Sequence, residues 1–139
     1  MSTDTDCELG TRLAVEAGRL LMGVRAELIG RGAPSWQLMD MGDLASHRFL
    51  LQALTEARPD DAVLSEEGME DPRRFTADRV WIVDPLDGTN EFGEHGRSDW
   101  AVHVALWERD RFAAGAVSLP ALDLVFSTEQ DFQTGGNMD

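Results

Sequence analysis

The chain has 139 residues and a mass of 15.3 kDa, the size of one ordinary domain and too small for two. Apolar residues make up 42% and charged residues 27%, a balance that excludes a disordered chain and leaves material for a real core. Acids outnumber bases 26 to 12, and the resulting charge of −14 repels nucleic acid and anionic membrane surfaces while suiting multivalent cations. Cys7 stands alone, so no intrachain disulfide exists. The polar, acidic start has neither the basic opening nor the apolar core of a signal peptide, and no apolar run is long enough to span a bilayer. A soluble, cytoplasmic protein is expected.

Leu9, Leu13, Ala17, Leu20, Leu21, Val24 and Leu28 step by three or four, one stripe of an amphipathic helix closed by Gly30, Gly32 and Pro34. Residues 33–42 read as a loop with Trp36 and Met39 folded back on the core. A second helix is expected over 43–57, with Leu44, Leu50, Leu51, Leu54 and Ala57 facing inward, stopped at Pro59. Short apolar runs follow at 62–64, 80–83, 100–107 and 112–119, with one more at 123–127, and these read as strands. Helices first and a meander of strands after them predict an α+β fold, two long helices packed on a largely antiparallel sheet. The tail from Gln130 carries no pattern and is expected to fray. All four tryptophans read as core, His47 and His95 as exposed, and His103 as packed within its strand.

The informative stretch is VWIVDPLDGTNEF at 80–92. An apolar strand ends at Asp84, with Asp87, Gly88 and Thr89 just beyond it. Pro85 and the Asp87–Gly88 pair favour a turn, so two carboxylates are held close at the end of a rigid strand. Like charges so placed repel unless a cation sits between them, and hard divalent ions take carboxylate and backbone carbonyl oxygens, such as that of Leu86. A second acidic pair, Glu66–Glu67, follows the 62–64 run. If the two strands are neighbours, their ends can build a two-metal cluster that activates water against a phosphate. Thr89 can hold that water if a carboxylate takes its hydroxyl proton, and Asp43 is available. Gly88 and Thr89 also open a short helix whose free N–H groups can face the phosphate. Taken singly, Asp87–Gly88 is a turn, Glu66–Glu67 a solvated corner and Asp43 a helix N-cap. No zinc-type Cys/His spacing, Walker loop, dinucleotide fingerprint or Ser–His–Asp arrangement is present.

Together LSEEG at 64–68, WIVDPLDGTNEF at 81–92 and Asp43, which precedes Glu66 by 23 residues, resemble the inositol monophosphatase superfamily of Mg²⁺-dependent phosphatases. Leu-Ser-Glu-Glu and the Glu91–Phe92 ending look more like its CysQ branch, the 3′(2′),5′-bisphosphate nucleotidases. The resemblance implies Mg²⁺-dependent hydrolysis of the 3′-phosphate of adenosine 3′,5′-bisphosphate, a by-product of sulfate assimilation, to AMP. Inositol-1-phosphate hydrolysis, or a non-catalytic Mg²⁺-binding remnant, are the alternatives. By position, Glu66, Asp84, the Leu86 carbonyl and Asp87 correspond to metal ligands. Glu66, Asp87, Gly88 and Thr89 correspond to substrate contacts, and Asp43, Glu66 and Thr89 to catalytic residues. Family members are roughly twice as long, and their second half carries a W-D-x-A-A-G-like metal motif without a match here. The resemblance therefore implies the N-terminal half of an α/β/α/β/α sandwich: a metal-binding unit over 1–129, an unstructured tail over 130–139 and no C-terminal domain. It also implies one uncovered sheet face, a possible homodimer and weak catalysis.

Overall fold

A computed structural model describes residues 3–65 and 76–128. Helix α1 runs Asp6–Gly30, longer at its start than the apolar stripe suggests. Thr5 and Glu8 form a reciprocal capping box, the Thr5 hydroxyl accepting from the Glu8 amide and the Glu8 carboxylate from the Thr5 amide, which satisfies donors of the first turn. Helix α2 spans Ser35–Ala57, so most of the expected loop is helical and Asp43 lies mid-helix, not at a cap. Pro34 sits at its N-cap, where the missing amide hydrogen costs nothing because that group has no intrahelical acceptor. Proline here starts a helix as well as separating it from α1. The longer α2 also rotates the expected faces. Leu50, Leu54 and Ala57 are buried as predicted, and Leu38 of the added first turns joins them, whereas Leu44 and Leu51 are exposed.

Five strands follow: β1 (Ala62–Ser65), β2 (Arg79–Asp87), β3 (Ala101–Glu108), β4 (Arg111–Leu119) and β5 (Leu124–Ser127). They lie in the order β1-β2-β3-β4-β5, with β1 parallel to β2 and every other pair antiparallel. A short helix, α3 (Thr89–Gly93), leaves the end of β2. The fold is thus α+β, three helices packed on a mixed but largely antiparallel sheet. Among the described residues no helix is long and apolar enough to cross a membrane.

Alternation along the strands decides which face is covered. Trp81 and Val83 of β2, Val102, Val104 and Leu106 of β3, and Ala114 and Ala116 of β4 are buried, with α1 over β3 and β4 and α2 over β2. The intervening residues, Ile82, Asp84, His103, Ala105, Trp107 and Val117, face the other way. Trp81 and Trp100 are core, as expected, but Trp36 is 64% exposed and Trp107 projects from the face opposite the helices.

The two ends of β2 are chemically distinct. At its start, Arg79 pairs with Asp6 at 2.9 Å, Asp61 at 3.0 Å and Glu108 at 3.3 Å, and Asp61 also accepts from the Trp81 indole at 2.9 Å. At its finish lie the carboxylates of the DPLDGT motif.

Candidate active site

Strand β2 does not end at Asp84. It continues to Asp87 through an irregularity: Asp84 stands opposite His103 and Asp87 opposite Ala101, so β2 uses one more residue than β3 over this stretch. Residues three apart on a regular strand point to opposite faces. A bulge cancels that alternation and re-aims side chains, and proline fits there because no ladder donor is required of it. The result is that ligand atoms of Asp84, Asp87 and His103 all lie within 4.8 Å of one another. Asp87 is 58% exposed and the adjacent imidazole 41% exposed, with Nε2 at 2.9 Å from Asp87 Oδ2. His103 is therefore not packed in the sheet, because its neighbours Val102 and Val104 take the helix side.

Gly88 makes the turn out of the strand at φ +86°, a left-handed backbone that a Cβ would oppose both conformationally and by contact at 3.0 Å with the Asp99 carbonyl. The turn brings Thr89 back over the strand end. Its Oγ1 lies 3.1 Å from Asp43 Oδ1 and 3.2 Å from the Leu86 carbonyl, so one hydroxyl proton faces two acceptors. The Leu86 side chain is buried while its carbonyl stays on the site's side of the bulge.

Helix α2 anchors this edge with successive turns of one face. Asp43 meets Thr89, the buried Ser46 hydroxyl donates to the Pro85 carbonyl at 2.6 Å, and His47 Nδ1 lies 3.0 Å from Ser65 Oγ at the end of β1. His47 is accordingly half-buried and not exposed; His95 is exposed as expected. Gly42 allows the approach, since a Cβ there would sit 2.6 Å from the Phe92 ring and 3.1 Å from Leu86.

Behind α3, Arg25 of α1 is buried and donates to the carbonyls of Phe92 at 2.9 Å, Arg97 at 2.8 Å and Glu94. The guanidinium also lies over the Phe92 and Trp100 rings, which pack edge to face at 4.8 Å. Burial pulls its pKa down from the usual arginine value, yet three carbonyl acceptors suit the cation.

The structure thus brings Asp43, Asp84, Leu86, Asp87, Gly88 and Thr89 to one sheet edge. Glu66 and Glu67 lie outside the described residues, as does the tail from Glu129. Strands β1 and β2 are parallel neighbours with Ser65 opposite Val83, so the residue preceding Glu66 already sits beside the strand that carries Asp84. Sequence reasoning missed Gly42, Ser46, His47, Arg25 and His103. The i, i+3, i+4 spacing of Asp43, Ser46 and His47 was a readable signal once Asp43 is placed within a helix, and strand alternation was a signal for His103. Two carboxylates and an imidazole whose donor atoms lie within 4.8 Å of one another form a set that fits a divalent cation.

Comparison with known proteins places nearly the whole chain among relatives. Residues 7–135 match the model of the inositol monophosphatase family. The chain is 50% identical over 120 residues to a Mycobacterium tuberculosis protein named 3′-phosphoadenosine 5′-phosphate phosphatase, covering 82% of this chain and 44% of that one. It is 38% identical over 88 residues to the 3′(2′),5′-bisphosphate nucleotidase CysQ of Salmonella typhimurium, covering 60% and 34%. Among solved structures, SuhB of Mycobacterium tuberculosis superposes with a TM-score of 0.71 at 30% identity, over 88% of this chain and 43% of that one. The chain spans less than half the length of these relatives. With the family model covering nearly its whole length, the chain belongs to the inositol monophosphatase family.

Proposed function

We propose that the chain carries the catalytic edge of a Mg²⁺-dependent phosphoric monoester hydrolase that removes the 3′-phosphate of adenosine 3′,5′-bisphosphate to leave AMP. The observation that carries this reading is the Thr89 hydroxyl held between Asp43 and the Leu86 carbonyl, at the strand end that bears Asp84 and Asp87. The choice of substrate is supported by half-identity to proteins named 3′-phosphoadenosine 5′-phosphate phosphatase. A metal requirement fits the family and the donor set.

Glu66, Asp84, the Leu86 carbonyl and Asp87 are assigned to the metal, within a unit spanning residues 1–129. Bound Mg²⁺ supplies charge that polarises the phosphoryl oxygens and lowers the pKa of water. Asp43 accepts the Thr89 hydroxyl proton in a hydrogen bond. With that proton committed, Thr89 Oγ1 accepts from an attacking water and aims its lone pair at phosphorus. Gly88 and Thr89 contact the phosphate, and so do Asp87 and Glu66 on the metal side. The bond from phosphorus to the ribose 3′-oxygen breaks as the water oxygen bonds to phosphorus. The water passes a proton to Thr89 Oγ1 as the Thr89 proton passes to Asp43. The departing 3′-oxygen takes a proton from solvent water, leaving AMP and inorganic phosphate.

The test is phosphate release by the 139-residue chain and its Thr89→Ala variant from adenosine 3′,5′-bisphosphate and from inositol 1-phosphate, with and without Mg²⁺. Release is expected to need Mg²⁺, to favour the nucleotide, and to fall by about a hundredfold or more in Thr89→Ala. A preference for inositol 1-phosphate overturns the substrate, and release without Mg²⁺ overturns the role of the metal. No release from either ester overturns catalysis by this chain.

A further inference from the structure

His103 takes no part in the chemistry above, yet its Nε2 lies 2.9 Å from Asp87 Oδ2 and within 4.8 Å of an Asp84 carboxylate oxygen. Its position follows from the sheet. Strand β3 pairs with β2 so that His103 stands directly opposite Asp84, and directly paired residues send their side chains to the same face. The bulge after Asp84 then returns Asp87 to that face as well. Three donors from two strands are fixed by backbone hydrogen bonding, not by a mobile loop.

We propose, resting on the reading of this edge as a divalent-metal centre, that His103 Nε2 is a metal ligand and shifts the centre toward transition ions that accept a nitrogen donor, Mn²⁺ among them, relative to Mg²⁺. The separations allow it. Ligand bonds of about 2.0–2.2 Å place opposite donors on one ion roughly 4.2 Å apart and adjacent ones about 3 Å apart. The three donors span 4.8 Å, and Nε2 is already 2.9 Å from Asp87 Oδ2. Small rotations of two half-exposed side chains close the difference. The alternative role, an imidazole that only hydrogen-bonds Asp87, keeps the nitrogen off the ion and leaves selectivity to oxygen donors. The two roles differ chemically. Mg²⁺ is an oxygen-seeking ion that gains little from imidazole, whereas transition ions bind nitrogen donors well. A ligating His103 therefore strengthens Mn²⁺ binding selectively, and one that only orients Asp87 strengthens both ions alike.

The experiment titrates the 139-residue chain and its His103→Asn variant with Mn²⁺ alone and with Mg²⁺ alone by calorimetry. It is paired with pulsed paramagnetic resonance of Mn²⁺ bound to protein carrying ¹⁵N-histidine. The expected result is a loss of about tenfold or more in Mn²⁺ affinity in the variant, with Mg²⁺ affinity changed much less. Directly bonded ¹⁵N coupling should be present in the parent chain. Equal losses for both ions, no loss, or bound Mn²⁺ without nitrogen coupling each overturn the proposal. If His103→Asn does not fold, the coupling in the parent chain decides alone. None of these readings involves turnover, so bound Mn²⁺ with nitrogen coupling but no phosphate release would overturn the proposed function and leave this inference standing.

Discussion

At Gly42 a single hydrogen atom separates α2 from the two elements that carry the site. A Cβ would approach Phe92 Cε2 to 2.6 Å and Leu86 Cδ2 to 3.1 Å. The Phe92 ring cannot swing away cheaply, because it is fully buried and packed edge to face on Trp100. Gly42→Ala is therefore expected to destabilise the fold by about 1–3 kcal/mol despite the better helix propensity of alanine, since the gain in propensity is about 1 kcal/mol at most. The displacement also moves Asp43 relative to Thr89. Denaturant melts of the parent and the variant check the sign, and a stabilised variant would show that α2 shifts without cost. The same spot illustrates what the sequence alone conceals. Gly42–Asp43 reads as the mouth of a loop with a capping aspartate, and only the position of Pro34 at the N-cap places both residues in mid-helix. Asp84, Asp87 and Thr89 were legible because their chemistry is written in consecutive letters. Their convergence with Asp43 was legible from motif spacing, whereas strand alternation marks only the face that His103 takes, and its place opposite Asp84 depends on the β2–β3 register.

Elements are held at the site by a few long-range polar anchors. Arg25 reaches from α1 to the carbonyl end of α3, where a cation is favoured and where the last carbonyls lack helical partners. Arg25→Met preserves much of the stem packing but strands the carbonyls of Phe92, Glu94 and Arg97. A loss of about 3 kcal/mol is expected, with Arg25→Lys losing less because one charge and up to three donors remain. Denaturation midpoints measure the order, and amide exchange at Phe92 should accelerate first, since its N–H closes α3 on the Gly88 carbonyl at 2.9 Å. Equal stability of the Met variant would mean that water replaces the guanidinium. At the other end of β2 the anchor is electrostatic. Hydrogen bonds from Arg79, above all, and from Arg58 hold Asp6 below the ordinary aspartate range, against the opposing effect of partial burial. A carboxylate whose pKa is lower folded than unfolded adds stability above its unfolded pKa, and that stability is lost as pH falls through the lower folded value. The fold should thus weaken below the usual aspartate range, and Asp6→Asn should flatten that acid slope in melts taken at stepped pH. The strand elements were readable from short apolar runs, and their ends moved by only a residue or so except in β2. There Asp-Pro looks like a stop, and the bulge that lets the strand continue leaves no trace in hydropathy. Leu44 and Leu51 misled for a related reason: apolar spacing fixes a stripe only once the length of the helix is known.

Among the described residues the helix-covered face of the sheet and the face opposite it have different chemistry. The helix side is sealed by Leu, Val, Trp and Ala side chains, and among the described residues no buried side-chain polar atom lacks a partner. The opposite face begins at the carboxylates of Asp84 and Asp87 and continues over Ala105, Trp107, Phe112, Val117 and Phe126. Trp107 and Phe112 pack edge to face at 5.9 Å with both residues partly in solvent, and Phe126 is 41% exposed on the same face. Contiguous exposed aromatics of this kind mark a surface that gains free energy by being covered, at roughly 25 cal/mol per Å² of apolar area removed from water. Among the described residues β5 is the outer strand of the sheet on that side, next to that surface. The net charge of −14 opposes association at long range, but salt screens it within about 10 Å at 0.1 M while leaving the apolar gain intact. The 139-residue chain is therefore expected to self-associate as protein concentration rises, and more strongly at 0.5 M salt than at low salt, the reverse of an ion-pair interface. Phe112→Lys combined with Phe126→Lys should lower the association measured by sedimentation at least tenfold. Its thermal midpoint should move little, because both rings lie outside the helix-covered core. A chain that remains monomeric in high salt at all accessible concentrations, or a double variant that associates as before, would show that this face does not drive assembly.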